Sequence, residues 1–112
     1  MNSLKLLITI IDRGKGNDVV KLFEESGCHS SYVTYGKGTA SEDILEVLGF
    51  GIIEKEVVFS IADESLVSDL FQLLEAELDF DRPGKGISFS IPLSSIAGQK
   101  ALNEILGKKG EN

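Results

Sequence analysis

Residues 54–78 decide how this chain folds. Glu54-Lys55-Glu56-Val57-Val58-Phe59-Ser60-Ile61 alternates as a strand does, and Asp63-Glu64 then opens a helix carrying Leu66, Leu70, Leu73, Leu74 and Leu78. Val57, Phe59 and Ile61 share one strand face, because side chains two apart point the same way. The leucines recur at helical spacing, Asp63 stands where a cap belongs, and Glu64 suits the positive end of the helix. The start of the chain shows the same order. Leu4 to Ile11 is a nearly continuous aliphatic run of strand length, as in strands covered on more than one side. Asn17 to Ser26 reads as a helix with Asn17 as its cap, Val19, Val20, Leu22 and Phe23 as its inward stripe, and Gly27 as a left-handed stop. A further strand follows each helix. The first is Ser30 to Tyr35. In the second, Ile87, Phe89 and Ile91 alternate with Ser88 and Ser90 until Pro92, which cannot donate to a ladder, so one buried apolar face and one polar face are expected.

Strand, helix, strand, repeated once, interleaves as a split βαβ arrangement. The expected fold is therefore an α+β, ferredoxin-like βαββαβ sandwich with four antiparallel strands and two helices on one face. Two segments lie outside that minimum. Thr39-Ala40-Ser41-Glu42 has capping-box spacing and precedes Ile44, Leu45, Leu48 and Gly49, which predicts a short helix in the connection between the second and third strands. Ser94 or Ser95 could start a C-terminal helix over 94–107, through Ile96, Ala101, Leu102, Ile105 and Leu106, leaving 108–112 to fray. The whole of 1–112 reads as a single domain, with 36–53 as an insertion.

Composition removes several function classes. At 112 residues, 42% hydrophobic and 26% charged, the chain has the make-up of one globular domain. Eleven Lys and Arg against 18 Asp and Glu leave a net charge of −7, which disfavours nucleic acid and anionic membrane surfaces as partners. The longest apolar run, Leu6 to Ile11, is far short of the ~20 residues that span a bilayer, and no secretory signal pattern is visible. The single Cys28 cannot form an internal disulfide and suits a reducing cytoplasm. No nucleophile–base set or facing carboxylate pair can be argued, so a non-catalytic protein is expected.

Three Gly-Lys-Gly triplets, at 14–16, 36–38 and 84–86, sit at strand ends. Free amide N–H groups around glycines can form an anion-binding nest, and a lysine adds charge to it. The same triplet also makes an ordinary surface turn. The second and third lie beside the long connection, where packing between subunits could bring them together. The apolar residues Ile44, Leu45, Leu48 and Phe50 of that connection must either fold back on their own oligomer or meet a partner.

Val33-Thr34-Tyr35-Gly36-Lys37-Gly38, the insertion after it, Glu54 to Ile61, the Asp63-led leucine helix and Gly84-Lys85-Gly86-Ile87-Ser88-Phe89-Ser90-Ile91-Pro92 together resemble a divergent branch of the PII family of nitrogen-regulatory signal-transduction proteins. The resemblance runs from about Leu4 to Ile96. It implies a cytoplasmic homotrimer that binds ATP, ADP or AMP as a regulatory ligand between subunits and docks onto a transporter or enzyme through the insertion, called the T-loop. Carried over to this chain, the ligand residues are Gly36, Lys37, Gly38, Thr39, Gly84, Lys85 and Gly86, and the partner-binding residues are Ile44, Leu45, Leu48 and Phe50. Ile87 stands where typical members place a phosphate-binding lysine, and 94–100 has no arginine, so a smaller anion such as bicarbonate is also considered. The alternative is a ferredoxin-like trimer of the divalent-cation tolerance type, with Cys28, His29 and acidic residues as ligands. Cys28-His29 alone cannot complete a structural zinc site.

Overall fold

The structure, a computed structural model, describes residues 3–37 and 54–105. In chain order the elements are β1 (Leu4–Asp12), α1 (Gly16–Glu25), β2 (Ser31–Lys37), β3 (Glu54–Asp63), α2 (Glu64–Leu78), β4 (Gly86–Pro92) and α3 (Gln99–Ile105). The four strands form one sheet in the order β2-β3-β1-β4, and every neighbouring pair is antiparallel. This is the expected ferredoxin-like sandwich. The short helix expected after Thr39 lies outside the described residues.

Alternation explains which side chains the helices cover. Leu7 and Ile11 of β1 and Val58 and Ala62 of β3 are buried, together with Val19 and Phe23 of α1, Leu70 and Leu74 of α2, and Cys28. Thr9 and Ser60 lie on the same covered face and are fully buried, yet neither is orphaned. The Thr9 hydroxyl lies 2.9 Å from that of Ser88, and the Ser60 hydroxyl lies 2.8 Å from that of Ser31, each across a directly opposed pair.

Helix ends show where local reading succeeds and where it fails. Asp63 caps α2 as expected, accepting the Ser65 N–H at 3.0 Å, and Glu64 of the first turn pairs with Lys5 at 3.4 Å. Gly27 has φ +98, the left-handed stop expected after α1. Asn17, however, does not cap α1. The helix begins one residue earlier, with Lys15 in the cap position and no side-chain bond from it, because a carboxylate from β3 takes over the task. The C-terminal helix also starts later than the expected 94. Gly98, at φ +79, ends an irregular stretch, and the Leu102 N–H donates to the Gly98 carbonyl at 3.0 Å to open α3.

The larger correction concerns β4. Register places Ser88 beside Thr9 on the helix-covered face, so Ile87, Phe89 and Ile91 point to the other face. They are 57%, 41% and 42% exposed in the single chain. The face away from α1 and α2 is thus the more apolar one. Across it run Ile61–Leu6–Ile91, then Tyr32–Phe59–Ile8–Phe89, then Thr34–Val57–Ile10–Ile87.

Candidate functional site

Antiparallel topology sends all three glycine-lysine-glycine segments to one end of the sheet. β1 ends there at Asp12, β2 ends there at Lys37, β3 starts there at Glu54, and β4 starts there at Gly86. Within one chain the second and third triplets do not meet. β2 and β4 are the two edges, with β3 and β1 between them, so three strand spacings of about 4.8 Å, about 14 Å in all, separate their ends. Gly38 and Thr39, like Ile44, Leu45, Leu48 and Phe50, lie outside the described residues.

The first triplet is an anion nest whose anion is internal. The Glu56 carboxylate accepts the Gly14 N–H at 2.9 Å and the Gly16 N–H at 2.6 Å, and Glu56 is only 8% exposed. The negative charge faces the positive end of α1. A Cβ at Gly16 would come within 2.5 Å of Glu56 Oε1, so only glycine admits this approach. Its two neighbours act on the same turn. Glu54 pairs with Arg13, and Lys55 donates to Asp12 Oδ1 at 2.6 Å. Sequence reasoning overlooked Glu56, although it is the one charged residue in the covered-face series 56, 58, 60 and 62.

The third triplet is shaped by packing. Gly84 takes φ +83 in the turn, and a Cβ on Gly86 would sit 2.5 Å from the Phe80 ring. Lys85 is exposed and, among the described residues, has no ion-pair partner within 4 Å. Beside it Phe71, Leu74, Glu75, Phe80, Gly86, Ile87 and Ser88 line a cavity of about 180 Å³. A second cavity of about 140 Å³ lies against Cys28, His29 and Asp63. Both are smaller than the roughly 300 Å³ at which small-molecule sites begin, so neither holds a nucleotide in a single chain.

Cys28 is buried beside β3. Burial pushes its thiol above the usual range, against weaker lowering by the Ser30 backbone and the Ser31 and Ser30 side chains, and Sγ lies 3.5 Å from the Ile61 carbonyl oxygen. The free thiol is therefore held protonated and weakly nucleophilic. Among the described residues no group of three or more His, Cys, Asp or Glu side chains is placed to hold a metal ion. No helix among them is long and apolar enough to cross a membrane.

The sheet order is that of a ferredoxin-like α+β sandwich, with glycine-bearing strand ends gathered at one end of the sheet. No family model matches the chain, and no curated protein matches it. Solved structures do. A PII-like signaling protein from Thermus thermophilus superposes with a TM-score of 0.65 at 20% identity, covering 88% of this chain and 95% of that one. CPII from Thiomonas intermedia, a nitrogen regulatory PII-like protein solved with ADP, AMP and acetate, gives 0.62 at 16% identity over 84% of this chain and 91% of its own. A Bacillus cereus protein related to NIF3 carries the same sandwich in 26% of its length, with a TM-score of 0.64 at 15% identity over 84% of this chain. The chain therefore has the PII-like fold, and that fold is also used inside a larger protein.

Proposed function

We propose that this chain is a PII-like regulatory protein, not an enzyme. It works as a cytoplasmic homotrimer that binds an adenine nucleotide (ATP, ADP or AMP) or a smaller anion between subunits and acts on a transporter or enzyme through the 36–53 insertion. The observation that carries the reading is the apolar sheet face opposite α1 and α2, left open at Ile87, Phe89 and Ile91. An apolar surface of that extent calls for a covering partner, and a second and third copy of the same face supply one. The solved PII-like protein carrying ADP and AMP supports the choice of ligand.

Packing between copies has a second consequence. The β2 edge of one chain and the β4 edge of another can lie side by side, which would close the 14 Å gap between the two triplets, a gap of about three strand spacings. Gly36 and Lys37 would then stand across the junction from Gly84, Lys85 and Gly86, and Gly36, Lys37, Gly38, Thr39, Gly84, Lys85 and Gly86 are the residues assigned to the anion. Occupancy regulates only if the ligand prefers one arrangement of the insertion over another, since equal affinity shifts no population. Partner contact is assigned to Ile44, Leu45, Leu48 and Phe50.

Isothermal titration of the purified oligomer with ATP, ADP, AMP and bicarbonate tests this function. Saturable heat from at least one of them is expected. Silence from all four, with the trimer intact, overturns it.

A further inference from the structure

The first residues of β3 form a clasp on the turn between β1 and α1. Glu54 pairs with Arg13, Lys55 donates to Asp12, and Glu56 accepts the amides of Gly14 and Gly16. Three consecutive residues thus bind four of the five residues from Asp12 to Gly16. β1 and β3 are the two central strands, and the proposed ligand segments hang from them at either edge. Gly36 pairs with Lys55 and Lys37 with Glu54 on one side, while Gly86 pairs with Ile11 on the other. Glu56 is the innermost of the three. It is buried, and its two charge-assisted bonds are not exposed to screening as the surface pair Arg13–Glu54 is.

We infer that Glu56 is a positioning residue for the anion site. By filling the Gly14–Gly16 nest it locks the ends of β1 and β3 together and so sets where Gly36–Lys37 and Gly84–Gly86 stand. The inference rests on the proposed anion site but has a readout of its own. Gly16 has no room to give, since a Cβ there meets Glu56 Oε1 at 2.5 Å and Val33 Cγ1 at 3.0 Å. Gly16→Ala therefore expels the carboxylate from one side of the contact, as Glu56→Ala removes it from the other. Glu56→Gln keeps the shape but leaves only one accepting oxygen.

The test is amide exchange on the three variants, followed by titration with ADP. In Glu56→Ala and Gly16→Ala, the amides of Gly14, of residue 16 and of the ladder-bonded Gly36 and Ile87 exchange at least about tenfold faster than in wild type, as release of the clasped strand ends requires. Glu56→Gln falls between. Affinity for ADP drops about tenfold, and acetate at tens of millimolar returns part of both effects in Glu56→Ala by refilling the nest. Faster exchange at 14 and 16 alone, with 36 and 87 unchanged, overturns the inference. So does full affinity for ADP in Glu56→Ala. If Glu56→Ala does not fold, Glu56→Gln decides by the same readings. If the wild type takes up no ADP, the proposed function fails for that ligand, and exchange at 36 and 87 still judges the clasp.

Discussion

Replacing Phe89 by aspartate should take the proposed oligomer apart. Phe89 lies in the central row of the apolar face, opposite Ile8 of β1, and is 41% exposed in one chain. An aromatic side chain has about 150–250 Å² to bury, so roughly 80 Å² of it awaits a neighbour. At about 25 cal/mol per Å², covering that area contributes about 2 kcal/mol per subunit, or about 6 kcal/mol over three copies. Aspartate removes this contribution and adds the cost of desolvating a carboxylate. A loss of about 6 kcal/mol is about 10⁴ in the dissociation constant. That constant carries two powers of concentration for a trimer, so the midpoint of assembly moves about a hundredfold upward. Sedimentation velocity across a concentration series reads this directly, with Glu24→Lys on the exposed side of α1 as the control expected to assemble normally. Far-ultraviolet circular dichroism should show the Phe89→Asp chain still folded, since its core lies on the other face. Wild type found as single copies at tens of micromolar, or Phe89→Asp assembling like wild type, would refute the reasoning.

Other outcomes follow from the same geometry. Lys37→Ala and Lys85→Ala should each lose about 1.5–3 kcal/mol of anion binding, about ten- to a hundredfold in affinity, with assembly unchanged by light scattering; unchanged affinity in both removes the two triplets from the site. Gly86→Ala should cost about 1–3 kcal/mol in a urea melt, because the new methyl meets the Phe80 ring at 2.5 Å, and Phe80→Leu in the same chain should return much of it. Burial raises the Cys28 thiol pKa in the folded chain, so the unfolded chain, ionising near 8.5, gives up its proton first. The stability this provides is fully present below that pH and is lost as pH rises through the folded value. Denaturation midpoints between pH 7 and 10 should decline in wild type and lose that component in Cys28→Ala.

Much of the fold was legible because its signals are local and repeated. Asp63 before Glu64 and a leucine series specifies the start of α2, and Gly27 specifies the end of α1, whatever else the chain does. The start of α1 was not legible in the same way. Asn17 is a good cap by type, but the bonds that begin the helix come from Glu56, 40 residues away in sequence, and a non-local carboxylate outcompetes a local side chain once the sheet has formed. For the first triplet the sequence leaves an anion nest and an ordinary surface turn both open, and it is the other two that their placement favours as a ligand site. What could not be read was that the anion belongs to the chain itself.

The faces of β4 show a different limit. Alternation of Ile87, Phe89 and Ile91 with Ser88 and Ser90 defines two faces but not which one the helices cover, and the apolar face is the natural choice for the core. Register decides otherwise. Thr9 of β1 is fully buried between Leu7 and Ile11, its hydroxyl needs a partner, and Ser88 directly opposite supplies it. Matching that pair turns all three large apolar side chains of β4 outward, in line with Leu6, Ile8 and Ile10. A one-residue slip would bury them under α2 and leave Thr9 facing an apolar side chain, so the observed register leaves less unsatisfied buried polarity and more exposed apolar area. For a chain that acts alone the second half of that exchange is a loss. It becomes a gain if the surface so created is covered by copies of itself, which is why the serines of β4 argue for an assembly as strongly as its isoleucines do.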